Sequence, residues 1–349
     1  MARIRRVDCS GPGITRVRRG RGFAYLAPDG RPLDDPDTLA RIRGLVIPPA
    51  WRDVWICPLP DGHLQAVGID ARGRRQYLYH QRWRARREQA KFDHMVAFAR
   101  ALPRLRGQVA ADLAGGGLGR ERVLAAAVRL LDRGFFRIGS EGYARENDTF
   151  GLATIHKRHV RLRADGTLEF DYPSKAGKRR VADLVDPQVQ QVVAALKRRR
   201  GGGPELLAWR DGHRWVDVRS QDINVYIKQH AGGDFTAKDF RTWNATVLAA
   251  VALSASWPAA ASRTARQRAI VRAVQEVAHY LGNTPAVCRA SYIDPRVFDR
   301  YRSGLTIAGA FERLGDGAAP GEPAHQGVIE AAVLDLIQDR TAPDLELSA

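Results

Sequence analysis

Gln65-Ala66-Val67-Gly68-Ile69-Asp70, then Arg72-Gly73, then Gln76-Tyr77-Leu78-Tyr79 read as two short strands joined by a turn. Shortly after them Phe92, Met95, Val96, Ala99 and Leu102 recur at helical spacing. Between the two patterns lies a basic run, Arg82-Trp83-Arg84-Ala85-Arg86-Arg87. The change of period across that run decides the fold class, an α+β chain. A small antiparallel β domain is expected over residues 1–86, and a larger, mainly α domain over 87–314.

Working outward, Phe23-Ala24-Tyr25-Leu26 precedes Pro28-Asp29-Gly30, and Val54-Trp55-Ile56 precedes Pro60-Asp61-Gly62, which adds strands to the first domain. Downstream, Arg120 to Asp132 predicts a helix with Gly134 as its C′ residue. Val160-Arg161-Leu162 and Leu168-Glu169-Phe170 flank Ala164-Asp165-Gly166-Thr167, a hairpin signal. Lys178 to Leu184 supplies a third strand, with Ser174 to Gly177 as its entry turn. Asp186-Pro187 opens another helix, which ends in the basic loop Arg198 to Pro204. Thr236-Ala237-Lys238-Asp239 has the form of a capping box, with Asp in place of Glu. Ser262 to Leu281 is a long amphipathic helix closed by Gly282; Thr284-Pro285 starts a short one, which Asp294-Pro295 stops. Residues 315–349 are expected to be a Gly/Pro-rich linker, Gly315 to Gly327, and a last helix over Val328 to Gln338.

The charge balance narrows the partner. The 349 residues hold 56 Lys and Arg against 38 Asp and Glu, a net charge of +18, with arginine dominating the excess. Arginine favours planar, bidentate contacts with phosphate, so a polyanion, nucleic acid above all, is the expected partner. Apolar residues at 44% suffice for a packed core. Cys9, Cys57 and Cys288 are scattered, and the histidines show no ligand spacing, so no metal site is expected. No Walker loop and no GxGxxG after a strand stands out, so no nucleotide cofactor is expected either. No apolar stretch comes after Arg3, Arg5 and Arg6, and Val247 to Trp257 is too short for a membrane span. A cytoplasmic protein is the expectation. Phosphoryl chemistry without a metal needs other cations on the phosphate, a nucleophile, and an acid for the leaving oxygen. Arg, Lys and Tyr can fill those roles.

Five segments in order carry a resemblance. Arg137-Ile138-Gly139, with Tyr143, Glu146-Asn147 and Gly151-Leu152-Ala153-Thr154, resembles the first catalytic-arginine segment of type IB DNA topoisomerases. Lys238-Asp239-Phe240-Arg241-Thr242-Trp243 resembles the second, and Leu281-Gly282-Asn283-Thr284-Pro285 with Ser291-Tyr292 resembles the nucleophile segment. Ser174-Lys175-Ala176-Gly177-Lys178 sits where that family has its catalytic lysine; Ser174 and Ala176 depart from its more usual residues, and Lys178 is the competing lysine. Pro48-Pro49-Ala50-Trp51 and Gly73-Arg74-Arg75-Gln76-Tyr77-Leu78-Tyr79 are similar to the N-terminal domain of the compact poxvirus-like and bacterial members.

The resemblance implies that Tyr292 attacks a DNA phosphodiester, giving a 3′-phosphotyrosyl link that is later reversed, with neither ATP nor metal. It gives Arg137 and Arg241 the non-bridging oxygens, Lys175 the leaving 5′-oxygen, and Asn283, where much of the family has histidine, a hydrogen bond to phosphate. It makes Gln76, Tyr77, Tyr79, Arg74, Arg75 and Tyr143 DNA contacts, and it implies a monomer that clamps around double-stranded DNA and associates with the nucleoid. A phenol is mostly neutral near pH 7, so surrounding cations are needed to favour the phenolate. Each residue also has an ordinary structural reading. Arg137 comes after a helix end, where a cation suits the dipole; Asn283 comes after Gly282 as part of a cap; Tyr77 and Tyr79 share one face of a strand. Two other functions compete: a tyrosine recombinase, disfavoured by the N-terminal β domain and by Lys238 to Arg241 in place of a His-x-x-Arg pattern, and a non-enzymatic basic nucleic-acid-binding protein.

Overall fold

The structure, a computed structural model, describes residues 3–314, 323–338 and 346–347. The chain divides into two compact units, Met1–Asp93 and His94–Ala349. That division falls inside a single helix over Gln81–Ala114, so the arginine run Arg82 to Arg87 is helical.

The first unit is an antiparallel sheet of β1 (Ile14–Arg19), β2 (Gly22–Leu26), β3 (Arg52–Ile56), β4 (Leu64–Ile69) and β5 (Arg75–Tyr79), in the order β2-β1-β3-β4-β5, with helix α1 (Pro36–Gly44) between β2 and β3 in sequence. Ile14, Ile42, Val54, Ile56 and Ala66 form its core, so α1 and three strands share one apolar cluster. In β5 the alternation is clean: Arg75, Tyr77 and Tyr79 are exposed, Gln76 and Leu78 half-buried.

The second unit is mainly helical: the part of α2 (Gln81–Ala114) from His94 onward, α3 (Arg120–Gly134), α4 (Glu141–Asn147), α5 (Pro187–Arg198), α6 (Ser220–Ala231), α7 (Ala237–Ser256), α8 (Arg263–Leu281), α9 (Pro285–Ser291), α10 (Pro295–Arg302), α11 (Ala308–Leu314) and α12 (Pro323–Gln338). Inserted in it are the three-stranded sheet β6 (Val160–Leu162), β7 (Thr167–Pro173), β8 (Arg179–Val185) and the hairpin β9 (Ala208–Asp211), β10 (Arg214–Asp217). An N-terminal antiparallel sheet with a mainly helical larger unit bears out the α+β expectation.

The caps obey their local sequence. Asp186, Ser262, Thr284 and Asp294 each accept a main-chain N–H at the start of α5, α8, α9 and α10. Asp239 accepts from the main-chain N–H of Thr236 at 2.8 Å, so the shortened capping box forms.

Two expectations are corrected. Gly134 is the last helical residue of α3, and Phe135 takes the left-handed conformation at φ 54°. The glycine serves packing instead: a Cβ at Gly134 would lie 2.2 Å from the Phe136 ring. The last helix begins at Pro323, not Val328, so Gly327 is helical, while residues 315–322 of the expected linker lie outside the described residues. Helix α12 is tied down through buried Glu330, which accepts from Arg106 Nη1 at 2.6 Å and from Trp243 Nε1 at 3.0 Å. No helix among the described residues is long and apolar enough to cross a membrane.

Candidate active site

Three helix ends meet at the site. α8 closes in a Schellman motif: Gly282, at φ 63°, donates its N–H to His279 O at 3.1 Å, and Asn283 donates its N–H to Ala278 O at 3.0 Å. The last carbonyls of α8 are thereby turned outward without helical partners. Arg241, in the second turn of α7, takes one of them: its Nη2 donates to Leu281 O at 2.8 Å, and its Nη1 to Phe135 O at 2.6 Å, just past the end of α3. Arg137 takes the next, donating through Nη2 to Gly282 O at 3.1 Å, and the same nitrogen donates to Asn283 Oδ1.

Arg137 is held by its own main chain. Leu152 and Ala153 donate their N–H groups to Arg137 O and Ile138 O, both at 2.8 Å. This close seam needs two glycines: a Cβ on Gly151 would lie 2.4 Å from Gly139 N and 2.8 Å from Arg137 O. Gly139 in addition has φ 78°.

Tyr292 ends α9, its N–H donating to Cys288 O at 3.0 Å. The chain beyond it is pinned to α7, because Asp294 donates its N–H to Thr246 Oγ1 at 3.1 Å. Arg241 and Tyr292 are thus fixed from the same helix. The guanidinium carbon of Arg241 lies 5.3 Å from the Tyr292 ring centre.

These side chains line a cavity of about 360 Å³, with Arg137, Arg241, Tyr292, Lys175, Tyr143 and Lys238 among its walls. Lys175 is exposed on the tight turn between β7 and β8, whose Ala176 and Gly177 have φ 64° and 71°. Lys178 does not line the cavity. Asn283 joins the site through Arg137. Burial pushes Arg241 down to about 10, and the neighbouring charge of Arg137 pushes the same way. Burial pushes the Tyr292 phenol up, yet the charges of Arg241, Arg137 and Lys238 overcome it and hold the phenol below its ordinary value. Among the described residues, two buried donors of the site, Arg241 Nε and Asn283 Nδ2, have no hydrogen-bond partner.

The family described as "Eukaryotic DNA topoisomerase I, catalytic core" matches residues 80–307, which contain every residue of this cavity. The chain belongs to the type IB DNA topoisomerases. It is an isomerase that acts on DNA topology, and the family described as "Bacterial DNA topoisomerase IB, N-terminal domain" matches residues 22–70, in accord with a bacterial-type first unit. DNA topoisomerase 1B of Acanthamoeba polyphaga mimivirus is 28% identical over 299 residues, 83% of this chain and 88% of the viral protein. DNA topoisomerase 1 of Daucus carota is 29% identical over 129 residues, 37% of this chain and 15% of the plant protein. DNA topoisomerase 1 of Schizosaccharomyces pombe is 31% identical over 127 residues, 36% of this chain and 15% of the yeast protein.

In this topoisomerase, Arg137, Arg241, Tyr292 and Lys175 come together in one cavity, with Tyr143 at its wall. The residues expected on β5 belong to the first unit. Gln76 Nε2 donates to Asp70 Oδ2 at 2.9 Å, and Arg74 Nη2 donates to the same oxygen at 2.7 Å. Hydrogen bonds from Arg74 hold the Asp70 carboxyl down at about 2. Arg75 lies over Tyr77 at 5.7 Å, and Tyr77 stacks with Tyr79 at 6.2 Å between centroids. Of the other tyrosines near the nucleophile segment, Tyr301 is buried and Tyr280 lies against Phe135. Sequence reasoning missed Lys238 as a cavity residue; its position one turn before Arg241 on α7 was the available signal.

Proposed function

We propose that this topoisomerase relaxes supercoiled DNA by transient cleavage of one strand, with Tyr292 as the nucleophile. The phenol oxygen attacks a phosphodiester; the new O–P bond gives a 3′-phosphotyrosyl link, and the bond to the 5′-oxygen breaks. The phenolic proton leaves to solvent, and Lys175 supplies the proton that the 5′-oxygen takes up. The cleaved strand rotates about the intact one, and the 5′-hydroxyl then reverses the reaction. Because the phosphotyrosyl ester retains the bond energy, the cycle needs neither ATP nor a metal ion.

The observation that carries this reading is the lowered phenol of Tyr292 in a cavity shared with Arg137, Arg241 and Lys175. Arg137 and Arg241 hold the non-bridging oxygens and stabilise the charge that grows on them. The unpartnered donors Arg241 Nε and Asn283 Nδ2 suit the same oxygens, since buried donors are ordinarily satisfied. Asn283 acts here as a hydrogen-bond donor, not as an acid. In the same reading Arg75, Tyr77 and Tyr79 meet DNA from the exposed face of β5, and Tyr143 does so from the cavity wall. Arg74 and Gln76 exchange Asp70 for a phosphate or a base edge. One copy of the chain clamps one duplex, and the protein associates with the nucleoid.

The test is relaxation of plasmid by purified protein in EDTA without ATP, together with trapping of the adduct. Both positive and negative supercoils are relaxed, and Tyr292→Phe binds DNA without forming an adduct. Adducts that map to another peptide overturn the reading. Binding with no adduct in the unaltered protein overturns it as well.

A further inference from the structure

Arg180, on β8, lines no wall of the catalytic cavity, yet it repeats the geometry of Arg241 one residue earlier at each of two helix ends. Its Nη2 donates to Gly134 O at 3.0 Å, and its Nη1 to Tyr280 O at 2.8 Å. Arg241 makes the same pair of bonds to Phe135 O and Leu281 O, the next carbonyl in each case. Two guanidinium forks thus span the ends of α3 and α8 in consecutive register. The carbonyls at a helix C-terminus lack helical partners and carry the negative end of the dipole, so a half-buried cation such as Arg180 is favoured there without a carboxylate. The guanidinium also lies over the Phe136 ring at 6.0 Å.

The register matters because each clasped carbonyl lies just upstream of an active-site side chain. Arg137 comes three residues after Gly134, and Asn283 three residues after Tyr280. Those two side chains meet directly in the hydrogen bond from Arg137 to Asn283 Oδ1. The spacing of the two helix ends therefore sets whether Arg137 and Asn283 reach each other and the phosphate together. We propose that Arg180 is a positioning residue for DNA cleavage, clasping the ends of α3 and α8 so that Arg137 and Asn283 are presented as a pair. This rests on the proposed roles of Arg137, Asn283 and Tyr292 in cleavage. Lysine in its place keeps the charge but lacks the planar fork that reaches two carbonyls at once.

The test is single-turnover cleavage of a duplex whose short leaving fragment prevents religation, measured beside DNA affinity and thermal melting. Arg180→Ala and Arg180→Lys should each cleave roughly 10- to 100-fold more slowly, the scale of a small misplacement of reacting groups. DNA affinity should stay unchanged, because the loss is confined to the transition state. Arg180→Ala combined with Asn283→Ala should be no slower than the slower single variant, as both act through one arrangement. Where Arg180→Ala does not fold, Arg180→Lys carries the same comparison with Asn283→Ala. Cleavage by Arg180→Lys at the unaltered rate, multiplicative losses in the double variant, full activity of Asn283→Ala, or a loss matched by weaker DNA binding overturns the proposal. Absence of a Tyr292 adduct in the unaltered enzyme would instead sink the nucleophile assignment itself.

Discussion

The guanidinium of Arg241 stands 5.3 Å from the centre of the Tyr292 ring, while both of its terminal nitrogens are held by main-chain carbonyls, Phe135 O and Leu281 O. A carboxylate in that place would cancel the charge; two carbonyl dipoles hold the side chain still and leave its charge for the phenol and the phosphate.

The pH dependence of cleavage comes out of this arrangement. A lowered pKa means that the phenolate is present at lower pH than in free tyrosine, whose pKa is about 10. Cleavage should rise with pH and level off below that value. Arg241→Ala removes the largest of the charges that lower the phenol and leaves burial less opposed, so the break should move to higher pH as well as the rate falling. Single-turnover rates across the neutral to alkaline range check this; an unmoved break in the variant contradicts it.

Gly151→Ala should disable cleavage although residue 151 is not among the residues that line the cavity. The atoms nearest the new Cβ are main chain, Gly139 N at 2.4 Å and Arg137 O at 2.8 Å, so the segment carrying Arg137 must shift. A displacement of about 1 Å can cost on the order of 100-fold in rate. Gly142→Ala, with open space about its Cβ in α4, is the control and should cleave normally.

Glu330→Ala should destabilise the second unit. The change leaves Arg106 with Asp132 alone and takes the partner from Trp243 Nε1, a buried donor. Breaking a buried ion pair from one side costs about 3 kcal/mol. A drop of that order in the unfolding free energy, read by urea denaturation, is expected; a change within error would mean that α12 contributes little.

Stability should also fall in mild acid. His159 is buried, its ring stacked on His156 at 5.1 Å, and burial, with the charges of His156 and Arg158, pushes it down to about 4. Unfolded, it titrates near pH 6.5, so between the two values the unfolded chain binds more protons and stability rises with pH. The contribution is complete above about 6.5 and is lost as pH falls toward 4. His159→Phe should flatten the melting temperature over that window; a slope equal to that of the unaltered protein would assign the effect to other groups.

Much of the scaffold was legible because its signals are local. The caps at Asp186, Ser262 and Thr284, the left-handed Gly282 and the hairpin at Gly166 each depend on a few adjacent residues. The same period of two that put Tyr77 and Tyr79 on one face of β5 puts Gln76 on the other, against Asp70. Gly134 misled because a glycine at a helix end ordinarily signals the left-handed turn, whereas here it makes room for the Phe136 ring.

By itself the sequence determined the fold class, the net positive charge and the ordered segments in which Arg137, Lys175, Arg241, Asn283 and Tyr292 occur, since periodicity, composition and short motifs need no tertiary contact. Only the tertiary structure decided that the carbonyls at the ends of α3 and α8 would seat Arg241, that Arg137 would meet Asn283, and that Lys238 would join the cavity. Arg137 and Asn283 are 146 residues apart, and a hydrogen bond across such a separation leaves no period or spacing in the chain. It exists only once two helices have ended at the same place.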